Sequence, residues 1–366
     1  MRVLVVNAGS TSLKLRFLDT HDVLLADEEL PAGRDGFDEE AVAGFLGGLD
    51  EVQAVGHRVV HGGTKLTSAV LIDEPVEAYL RSLVDLAPLH QPPALDGIDL
   101  ARRLLPAIPA VACFDTAFHA SLPAAAATYA IPAEWRDRYN LRRYGFHGLS
   151  HAYASRRAAE MLGRRAERLR TVTCHLGAGA SLAAVLSGKS VDTTMGFTPL
   201  EGLVMATRPG DLDPGLLLWL ERHGGLTEAE LSEALEHQAG LKALAGTGDM
   251  REILARLSGG DGVARLAFDV YVHRLRAGVA AMAAAMAGLD VLVFTAGVGE
   301  NSHEVRAAAT AGLSFLGVAV DPALNASAAG DLDITGGDAT VRTLVIRARE
   351  DLEIARQARD ILAYRR

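Results

Sequence analysis

The sequence of 366 residues contains only two cysteines, Cys113 and Cys174, and each lies in an apolar segment that reads as a strand. No group of cysteines and histidines has the ligand spacing of a zinc site. A disulfide framework and a structural zinc centre are therefore not expected. We interpret both cysteines as reduced core thiols, which favours a cytoplasmic protein.

Long apolar runs and an excess of positive charge are also missing. Hydrophobic residues make up 49% of the chain, but no run is long enough to span a membrane, and MRVLVV turns polar too early for a signal peptide. The net charge of −10 argues against nucleic acids and acidic membranes as main partners. An anionic substrate would have to be held by local arginines. The composition is typical of a globular protein, and the length favours two domains.

Three common nucleotide-binding patterns are absent as well. The chain has neither the G-x-x-x-x-G-K-[ST] of P-loop proteins nor the motif set of protein kinases. The segments GAGASL and GVGENS each begin like G-x-G-x-x-G but lack its third glycine, and the first is followed by a strand rather than a helix. A dinucleotide-binding fold is therefore not expected.

What the sequence does contain is a polar turn between two apolar strands at its start. The run VLVV reads as a buried strand, and LKLRFL, where apolar and basic residues alternate, reads as a strand with one solvated face. The six residues between them, NAGSTS, are turn formers. They fit an ordinary hairpin loop, and they also fit a loop that surrounds a phosphate with N–H groups and hydroxyls.

The same strand–turn–strand pattern returns near mid-chain, where Gly177, Gly179 and Ser181 lie between two apolar strands. A third glycine-bearing turn follows the buried strand of VLVFTAGVGENS and leads into a helix that Asn301 or Ser302 would cap. Three such turns favour a site for nucleotide phosphates. The repetition predicts two α/β domains of related design, each presenting a loop to a shared cleft.

Ten segments along the chain resemble the acetate kinase family. VLVVNAGSTSLK resembles the family's first pattern, N-x-G-S-[ST]-S-x-K, and RRYGFHGLSH is similar to the second. The other eight appear in the family's order: GHRVVHGG, LAPLHQPPAL, FDTAFH, CHLGAGAS, DTTMGFTPLEGLVMATRPGDLDP, GDMRE, FTAGVGENS and REDLEIAR. The resemblance covers essentially the whole chain. It implies reversible phosphoryl transfer between ATP and acetate, giving ADP and acetyl phosphate, with Mg²⁺ or alternatively Mn²⁺ as the metal.

The resemblance also implies the two-domain α/β fold shared by sugar kinases, actin and heat-shock ATPases, with a central interdomain cleft, and a homodimer. We expect the first domain to comprise residues 1–118 and 351–366. The second domain, residues 119–350, would bind the nucleotide. The alanine-rich segment 277–288 fits either a packing surface of the dimer or a buried core helix.

The catalytic residues implied by the resemblance suit the chemistry. The attacking carboxylate of acetate is already ionised at neutral pH, so the reaction needs positioning and charge neutralisation rather than a strong base. By resemblance, Arg58 binds the carboxylate and the phosphoryl group, Arg208 holds the phosphoryl group from the second domain, and His147 donates a hydrogen bond to it.

The metal residues are implied in the same way. Asp115, which follows a strand from Val111 to Phe114, would hold Mg²⁺ together with Glu350, largely through the waters of the ion. By the same resemblance Asp115 would also have a catalytic role, orienting the attacking carboxylate. Asn7 is assigned to the metal as well.

A small apolar pocket for the acetate methyl group is also implied, lined by Val60, Leu89, Phe146 and Pro199. Without the resemblance each of these residues would be interpreted as core. A valine at position 60 favours acetate over propionate, although one methylene is worth only about 1–3 kcal/mol.

The resemblance assigns the nucleotide to several short segments. Residues near the phosphates are Ser10, Ser12, Lys14, His175, Leu176, Gly177 and Gly179, and those near adenosine are Asp249, Met250, Arg251, Gly297, Val298, Gly299, Glu300 and Asn301. The glycines would let the backbone approach the nucleotide closely. Four other histidines are interpreted as structural: His61, His90, His119 and His151.

Several positions depart from the residues usual in the family. A loop that commonly reads H-L-G-N-G has Ala178 in place of asparagine, which removes an amide facing the phosphates. Ala206 and Pro209 replace glycine and serine, and Gln91 and Arg349 each replace an asparagine. No charged catalytic group is lost, so an active kinase is expected. A propionate or butyrate kinase and a non-catalytic nucleotide-dependent sensor are the alternatives; a chaperone-like ATPase would need a further domain.

Overall fold

The computed structural model describes residues 1–9, 12–33, 36–88 and 90–363. The chain divides into two compact units. The first comprises Met1–Ala120, His147–Tyr153 and Arg349–Arg366, and the second comprises Ser121–Phe146 and Ala154–Ala348. The sequence-based boundaries differ most at residues 147–153, which the structure groups with the first unit.

The first unit contains a six-stranded mixed sheet. Its strands are β1 (Val3–Ala8), β2 (Ser12–Leu18), β3 (Leu24–Pro31), β4 (Ala54–Val59), β5 (Val70–Leu71) and β6 (Ala110–Phe114), in the spatial order β3-β2-β1-β4-β6-β5. Strands β1, β4 and β6 are parallel, and the other three run antiparallel to their neighbours. The predicted opening hairpin is formed by β1 and β2, with Asn7 opposite Lys14.

The second unit repeats this plan. Its strands are β7 (Arg170–Leu176), β8 (Ala180–Leu186), β9 (Lys189–Thr193), β10 (Val291–Thr295), β11 (Leu332–Asp333) and β12 (Arg342–Val345), in the order β9-β8-β7-β10-β12-β11. The two orders coincide strand for strand, with β7, β10 and β12 in the places of β1, β4 and β6. The prediction of two α/β domains of related design is confirmed by this topology.

Helices connect the strands of both sheets. In chain order they are α1 (Glu39–Gly47), α2 (Glu74–Arg81), α3 (Gln91–Leu104), α4 (Ala124–Ala127), α5 (Ala133–Tyr139), α6 (Gly148–Met161), α7 (Pro214–Trp219), α8 (Glu228–Glu233), α9 (Gly240–Ala245), α10 (Met250–Ser258), α11 (Gly262–Ala285), α12 (Ala296–Asn301), α13 (His303–Ala311), α14 (Pro322–Ser327) and α15 (Glu350–Ala363). Two π-helical stretches, Leu220–Gly224 and Ala234–Gln238, continue α7 and α8. Of the helices described, none combines the length and the hydropathy needed to cross a membrane.

Two helix starts show how local sequence sets the boundaries. Helix α3 begins at Gln91, earlier than the predicted start near Ala94, because the two prolines that follow fit a first helical turn, where no N–H is needed. At the third glycine turn the short α12 precedes α13. The Ser302 hydroxyl, one of the two predicted caps, accepts from Val305 N at 3.2 Å and caps α13.

Helix α15, at the end of the chain, covers one face of the first sheet. Its apolar residues pack with side chains of β1, β4 and β6. At Gly56 of β4 the approach is so close that a Cβ would lie 2.6 Å from the Ile354 side chain. Because alternate residues of a strand share a face, the next positions on this face are Asn7, Arg58 and Asp115. The fold therefore collects three predicted site residues at one edge of the sheet.

His57 occupies the opposite face of β4 and is 1% exposed. Its Nε2 has no hydrogen-bond partner among the residues that the structure describes. Burial lowers the pKa of His57 to about 3 from an ordinary value of 6.5. The histidine is therefore neutral in the folded protein at every pH at which the protein would be assayed.

We expect acid to destabilise the protein through His57. Above pH 6.5 the residue is neutral in both folded and unfolded chains, so its contribution to stability is fully present. As the pH falls from 6.5 towards about 3, the unfolded chain binds a proton that the folded chain does not. The free energy of unfolding should then fall by about 1.4 kcal/mol per pH unit.

Urea titrations between about pH 7 and about pH 5 measure this slope. His57→Leu, which cannot be protonated, should flatten the slope by that amount. His273→Gln, on the exposed side of α11, should leave it unchanged. A His57→Leu variant with the parental slope would contradict the prediction.

Candidate active site

Three polar side chains from separate segments of the first unit meet around Arg58. The guanidinium donates to Asp115 Oδ2 from Nη2 at 2.6 Å and from Nε at 3.1 Å, and its Nη1 donates to Asn7 Oδ1 at 3.3 Å. Glu350 Oε2 lies 3.7 Å from Nε. The Asp115 side chain is 1% exposed, whereas those of Arg58 and Glu350 are 19% and 18% exposed. The structure thus brings together four residues that the sequence places far apart.

The Arg58 guanidinium is a cation between two carboxylates. Burial alone would lower the pKa of Arg58, but the carboxylates of Asp115 and Glu350 outweigh burial and raise it. Its hydrogen bonds to the described residues use one N–H on each of three nitrogens. A guanidinium has five N–H groups, so Nη1 and Nη2 each keep one for an anion.

His147 lies next to this group through Gly148, which begins α6. Gly148 N donates to Asp115 O at 2.9 Å, and a Cβ on Gly148 would clash with that oxygen. His147 itself has φ +55°, in the left-handed region that few residues other than glycine adopt. Such a conformation persists where its surroundings hold it, commonly at functional sites. The role predicted for His147 in phosphoryl transfer stays a prediction.

Val60, predicted to contact the acetate methyl group, is 6% exposed, and the backbone that follows it is held by Gln91. Gln91 Oε1 accepts from His61 N at 3.3 Å, and Gln91 Nε2 donates to the carbonyls of His61 and Leu80, also at 3.3 Å. Gln91 is fully buried. From the sequence alone it is only a departure from asparagine, and its role in fixing the segment after Arg58 was missed.

Arg208, in the second unit, is a cation with no carboxylate at salt-bridge distance among the described residues. Its Nη1 donates to Pro199 O at 2.9 Å. Burial lowers the pKa of Arg208, and the Glu236 carboxylate opposes this only in part. A partly buried guanidinium with unused N–H groups is suited to bind an anion. This hydrogen bond joins Arg208, predicted to hold the phosphoryl group, to Pro199, predicted to line the acyl pocket.

Backbone contacts fix the loop that carries Arg208. Met205 N donates to Arg208 O and Ala206 N donates to Ala178 O, both at 3.0 Å. Gly240 packs against the same loop with φ +63°, and a Cβ there would lie 2.6 Å from Arg208 O. The loop is therefore tied to the β7–β8 turn, where Ala178 lies.

Two predicted phosphate-binding residues, Ser12 and Lys14, share one face of β2 and both contact Glu29 of β3. Ser12 Oγ donates to Glu29 Oε1 at 2.9 Å, and Lys14 Nζ lies 3.4 Å from the same oxygen. Lys14 remains 49% exposed, so the pairing leaves it accessible. Ser10, between β1 and β2, and Leu89, predicted for the acyl pocket, lie outside the described residues. Phe146, from the same pocket, is 2% exposed.

The second unit contains a cavity of about 720 Å³, a size typical of small-molecule sites. Seven predicted nucleotide residues line it: Gly177, Asp249, Met250, Arg251, Gly297, Val298 and Asn301. Seven further residues line it that the resemblance did not assign to the nucleotide: Ala178, Gly248, Leu254, Ala255, Ser258, Ser302 and Glu304. Most of these lie within or beside helices α10 and α13, where no motif distinguishes them from ordinary surface positions.

Three other predicted nucleotide residues shape the β7–β8 turn. Leu176, the last residue of β7, is fully buried and His175 precedes it. Gly179 O accepts from Gly177 N at 3.0 Å, which closes the turn. These residues support the end of the cavity at which Gly177 lies.

Gly299 and Glu300, also predicted for the nucleotide, are held by a residue that the sequence did not reveal. Arg306 is 1% exposed and donates from Nη1 to Gly299 O at 2.9 Å and to Glu300 O at 2.8 Å. The Glu300 carboxylate accepts from Ala348 N at 2.9 Å. In the structure the Glu300 carboxylate therefore stabilises the backbone at Ala348.

A model of the Acetokinase family matches residues 37–356 of the chain. The chain belongs to the acetokinase family. Among its relatives, it is 44% identical to the acetate kinase of Synechococcus sp. (strain JA-2-3B'a(2-13)), with 99% of both chains covered. It is 42% identical to the acetate kinase of Corynebacterium jeikeium (strain K411), with 98% of both covered.

Solved structures agree with this membership of the acetokinase family. The chain is similar to Porphyromonas gingivalis acetate kinase with a TM-score of 0.91 and 37% identity, over 99% of each chain. It is also similar to a propionate kinase from Francisella tularensis subsp. tularensis SCHU S4, with a TM-score of 0.91 and 34% identity over 98% of this chain and 99% of that one. The predicted fold class is thereby confirmed.

The structure shows what two of the residues that depart from the family's usual ones, Arg349 and Ala178, contact. Arg349 pairs with Asp351, from Nη2 to Oδ2 at 2.8 Å and from Nε to Oδ1 at 2.9 Å, and Asp351 is only 5% exposed. Because Arg349 precedes Glu350 and Asp351 follows it, this ion pair stabilises the first turn of α15 around Glu350. Ala178 lines the cavity, and its methyl group presents no hydrogen-bonding atom to a bound molecule.

Proposed function

We propose that this acetokinase-family chain transfers a phosphoryl group reversibly between ATP and acetate, giving ADP and acetyl phosphate. The observation that carries the proposal is Arg58, a guanidinium with unused N–H groups held between the carboxylates of Asp115 and Glu350. Acetate kinases at 42%, 44% and 48% identity to this chain support it. The enzyme is then a phosphotransferase with a carboxyl group as acceptor.

In the forward step an acetate oxygen forms a bond to the γ-phosphorus of ATP, and the bond from that phosphorus to the β,γ-bridging oxygen breaks to leave ADP. No proton has to move, because the carboxylate is already ionised. The barrier comes largely from repulsion between anions, which guanidinium groups lower. Arg58 would bind the carboxylate and the phosphoryl group, Arg208 would bind the phosphoryl group, and His147 would donate a hydrogen bond to it.

The remaining predicted residues position the two substrates. The cavity of the second unit would hold the nucleoside, with the phosphates at the turn of Gly177 and Gly179 and near Ser12 and Lys14. The acetate methyl group would contact four apolar residues, Val60, Leu89, Phe146 and Pro199. Selection by contact with these residues would be relative rather than absolute.

Mg²⁺ is the metal that the residues around Arg58 fit best. Asp115 and Glu350 supply carboxylate oxygens and Asn7 supplies an amide oxygen, which are the hard donors that Mg²⁺ takes. No group of three or more histidine, cysteine, aspartate or glutamate side chains that could hold a metal occurs in the described part of the chain. The ion would therefore keep several waters and bind the phosphates of ATP, whose charge it neutralises.

We also propose that the enzyme is a homodimer and that it acts in the cytoplasm, where ATP is available. Leu216, Leu218 and Trp219 of α7 are 43%, 55% and 55% exposed, and clustered exposed apolar side chains are typical of protein interfaces. The segment 277–288 buries Val279 and Met282, so one of its faces belongs to the core. Sedimentation velocity measures whether the chain is dimeric.

A propionate kinase is the second candidate. The chain is 34% identical to the propionate kinase from Francisella tularensis over 98% of its length. The two acids differ by one methylene, which a contact pocket discriminates by about 10- to 200-fold. The choice between them depends on how closely Val60 approaches the methyl group of acetate.

The deciding experiment is acyl phosphate formation, trapped as the hydroxamate, with ATP and Mg²⁺ and with acetate, propionate or butyrate. We expect acetate to give the highest kcat/KM, by about 10-fold or more over propionate. A higher kcat/KM with propionate would establish the second candidate. Absence of turnover with every acid, together with intact ATP binding, would support the nucleotide-dependent sensor instead.

A further inference from the structure

The cavity of the second unit has two ends that differ in chemistry. One end is marked by Gly177 and Ala178 in the β7–β8 turn and by Gly297 in α12. Gly248 belongs to this end, because a Cβ on it would lie 3.0 Å from Ala206 O, and Ala206 N donates to Ala178 O. Backbone N–H groups at glycine turns suit phosphate oxygens. Under the proposed function this is the phosphate end.

Two walls run from the phosphate end to the far end. On α10, Met250, Leu254 and Ser258 recur every four residues, share one helical face and all line the cavity. At about 1.5 Å per residue this face is about 12 Å long, which is enough for a ribose and a base in line. The other wall runs from Gly297 along α12 to Glu304 in the first turn of α13.

The side chains at the far end present hydrogen-bond acceptors. Ser258 Oγ donates its proton to Ala255 O at 2.8 Å and keeps its lone pairs. Glu304 Oε2 accepts from Ser302 Oγ at 3.0 Å, and Glu304 Oε1 lies 3.4 Å from His303 Nε2. A carboxylate has about four lone-pair positions, so Glu304 can accept further hydrogen bonds. Its side chain is 45% exposed and therefore accessible from the cavity.

We propose that Glu304 contacts the edge of the nucleobase and selects phosphoryl donors with an amine at position 6 of a purine over donors with a carbonyl oxygen there. The inference rests on the proposed function, because it requires a nucleotide with its phosphates at the glycine turns. The amine of adenine donates to the carboxylate. The oxygen of hypoxanthine or guanine is an acceptor, so on the side away from the protonated ring nitrogen it meets Glu304 without a proton between them.

ATP and ITP test this directly, since their bases differ in that amine and the adjacent ring proton. The parent enzyme should prefer ATP to ITP by about 10- to 100-fold in kcat/KM, the usual value of a hydrogen bond to a charged group. Glu304→Gln should reduce this preference by about 10-fold, because the amide can rotate to donate to the oxygen. The KM for acetate and the unfolding midpoint should not change.

Glu252→Gln is the matched control, because Glu252 is exposed on α10 and is not among the residues lining the cavity. It should keep the parental ratio of ATP to ITP. A parental ratio in Glu304→Gln, or equal use of ATP and ITP by the parent, would overturn the inference.

Calorimetric titration with ADP and with IDP separates this inference from the proposed function. If no acid is phosphorylated, the proposed function fails. Binding of ADP over IDP, weakened in Glu304→Gln, would still support the role of Glu304. Equal binding of ADP and IDP would overturn that role even where acetate is phosphorylated normally.

Discussion

Replacing Arg208 by alanine is expected to lower kcat by about 100- to 1,000-fold and to leave the free energy of unfolding nearly unchanged. The rate falls because the phosphoryl group in transit loses a cation with N–H groups to spare. Stability is kept because the substitution removes two opposing contributions. It removes a charge whose pKa is lowered by burial, and it removes one hydrogen bond to Pro199 O at 2.9 Å.

The hydroxamate assay at saturating ATP and acetate measures kcat, and urea titration measures stability. Arg222→Ala is the matched control, since Arg222 is exposed on the π-helical stretch after α7. Its kcat should remain within about twofold of the parent, as for ordinary surface substitutions. Arg208→Lys should recover only part of the lost rate, because an ammonium lacks the planar pair of donors. An Arg208→Ala enzyme with parental kcat would show that Arg208 does not act on the phosphoryl group.

Arg58→Ala is expected to cost both activity and stability. The kcat/KM for acetate should fall by about 1,000-fold, because the carboxylate and the phosphoryl group lose their common cation. The free energy of unfolding should fall by about 3 kcal/mol, the usual cost of breaking a buried ion pair from one side. Asp115, 1% exposed, loses guanidinium contacts at 2.6 and 3.1 Å, and Glu350 loses the charge 3.7 Å away.

Adding Asp115→Asn to Arg58→Ala separates the two losses. A neutral amide is less costly to bury than a carboxylate, so the double variant should regain much of the stability and none of the activity. Arg16→Ala is the control. Arg16 lies 3.3 Å from Asp351, but Asp351 is also paired with Arg349. Removing Arg16 therefore takes away an arginine without leaving a carboxylate unpaired. If Arg58→Ala proves as stable as the parent, the charge of Asp115 is held by other groups.

The sequence by itself determined the α/β class, the duplicated plan and the family. Strand patterns and glycine turns are local, because they depend on alternation and on backbone preferences within a few residues. The same local signals placed Asp115 at the end of β6 and Ser302 at the start of α13. Motif resemblance then assigned Arg58, Arg208 and His147 their proposed roles.

Only the tertiary structure decided how residues distant in sequence meet. Glu350 approaches Arg58 because α15, from the end of the chain, packs on the face of the sheet that also carries Asn7 and Asp115. No periodicity encodes that pairing, since it depends on which strands neighbour each other and which helix covers them.

The same limit explains the residues that sequence reasoning missed. Gln91, Arg306 and Glu304 each act on backbone or on a cavity formed by distant segments, so neither their type nor their spacing marks them. Arg208 shows the converse. The motif around Arg208 predicts its role, but the absence of a nearby carboxylate among the described residues is a property of the folded chain. That absence, and not the residue type, makes its guanidinium available to an anion.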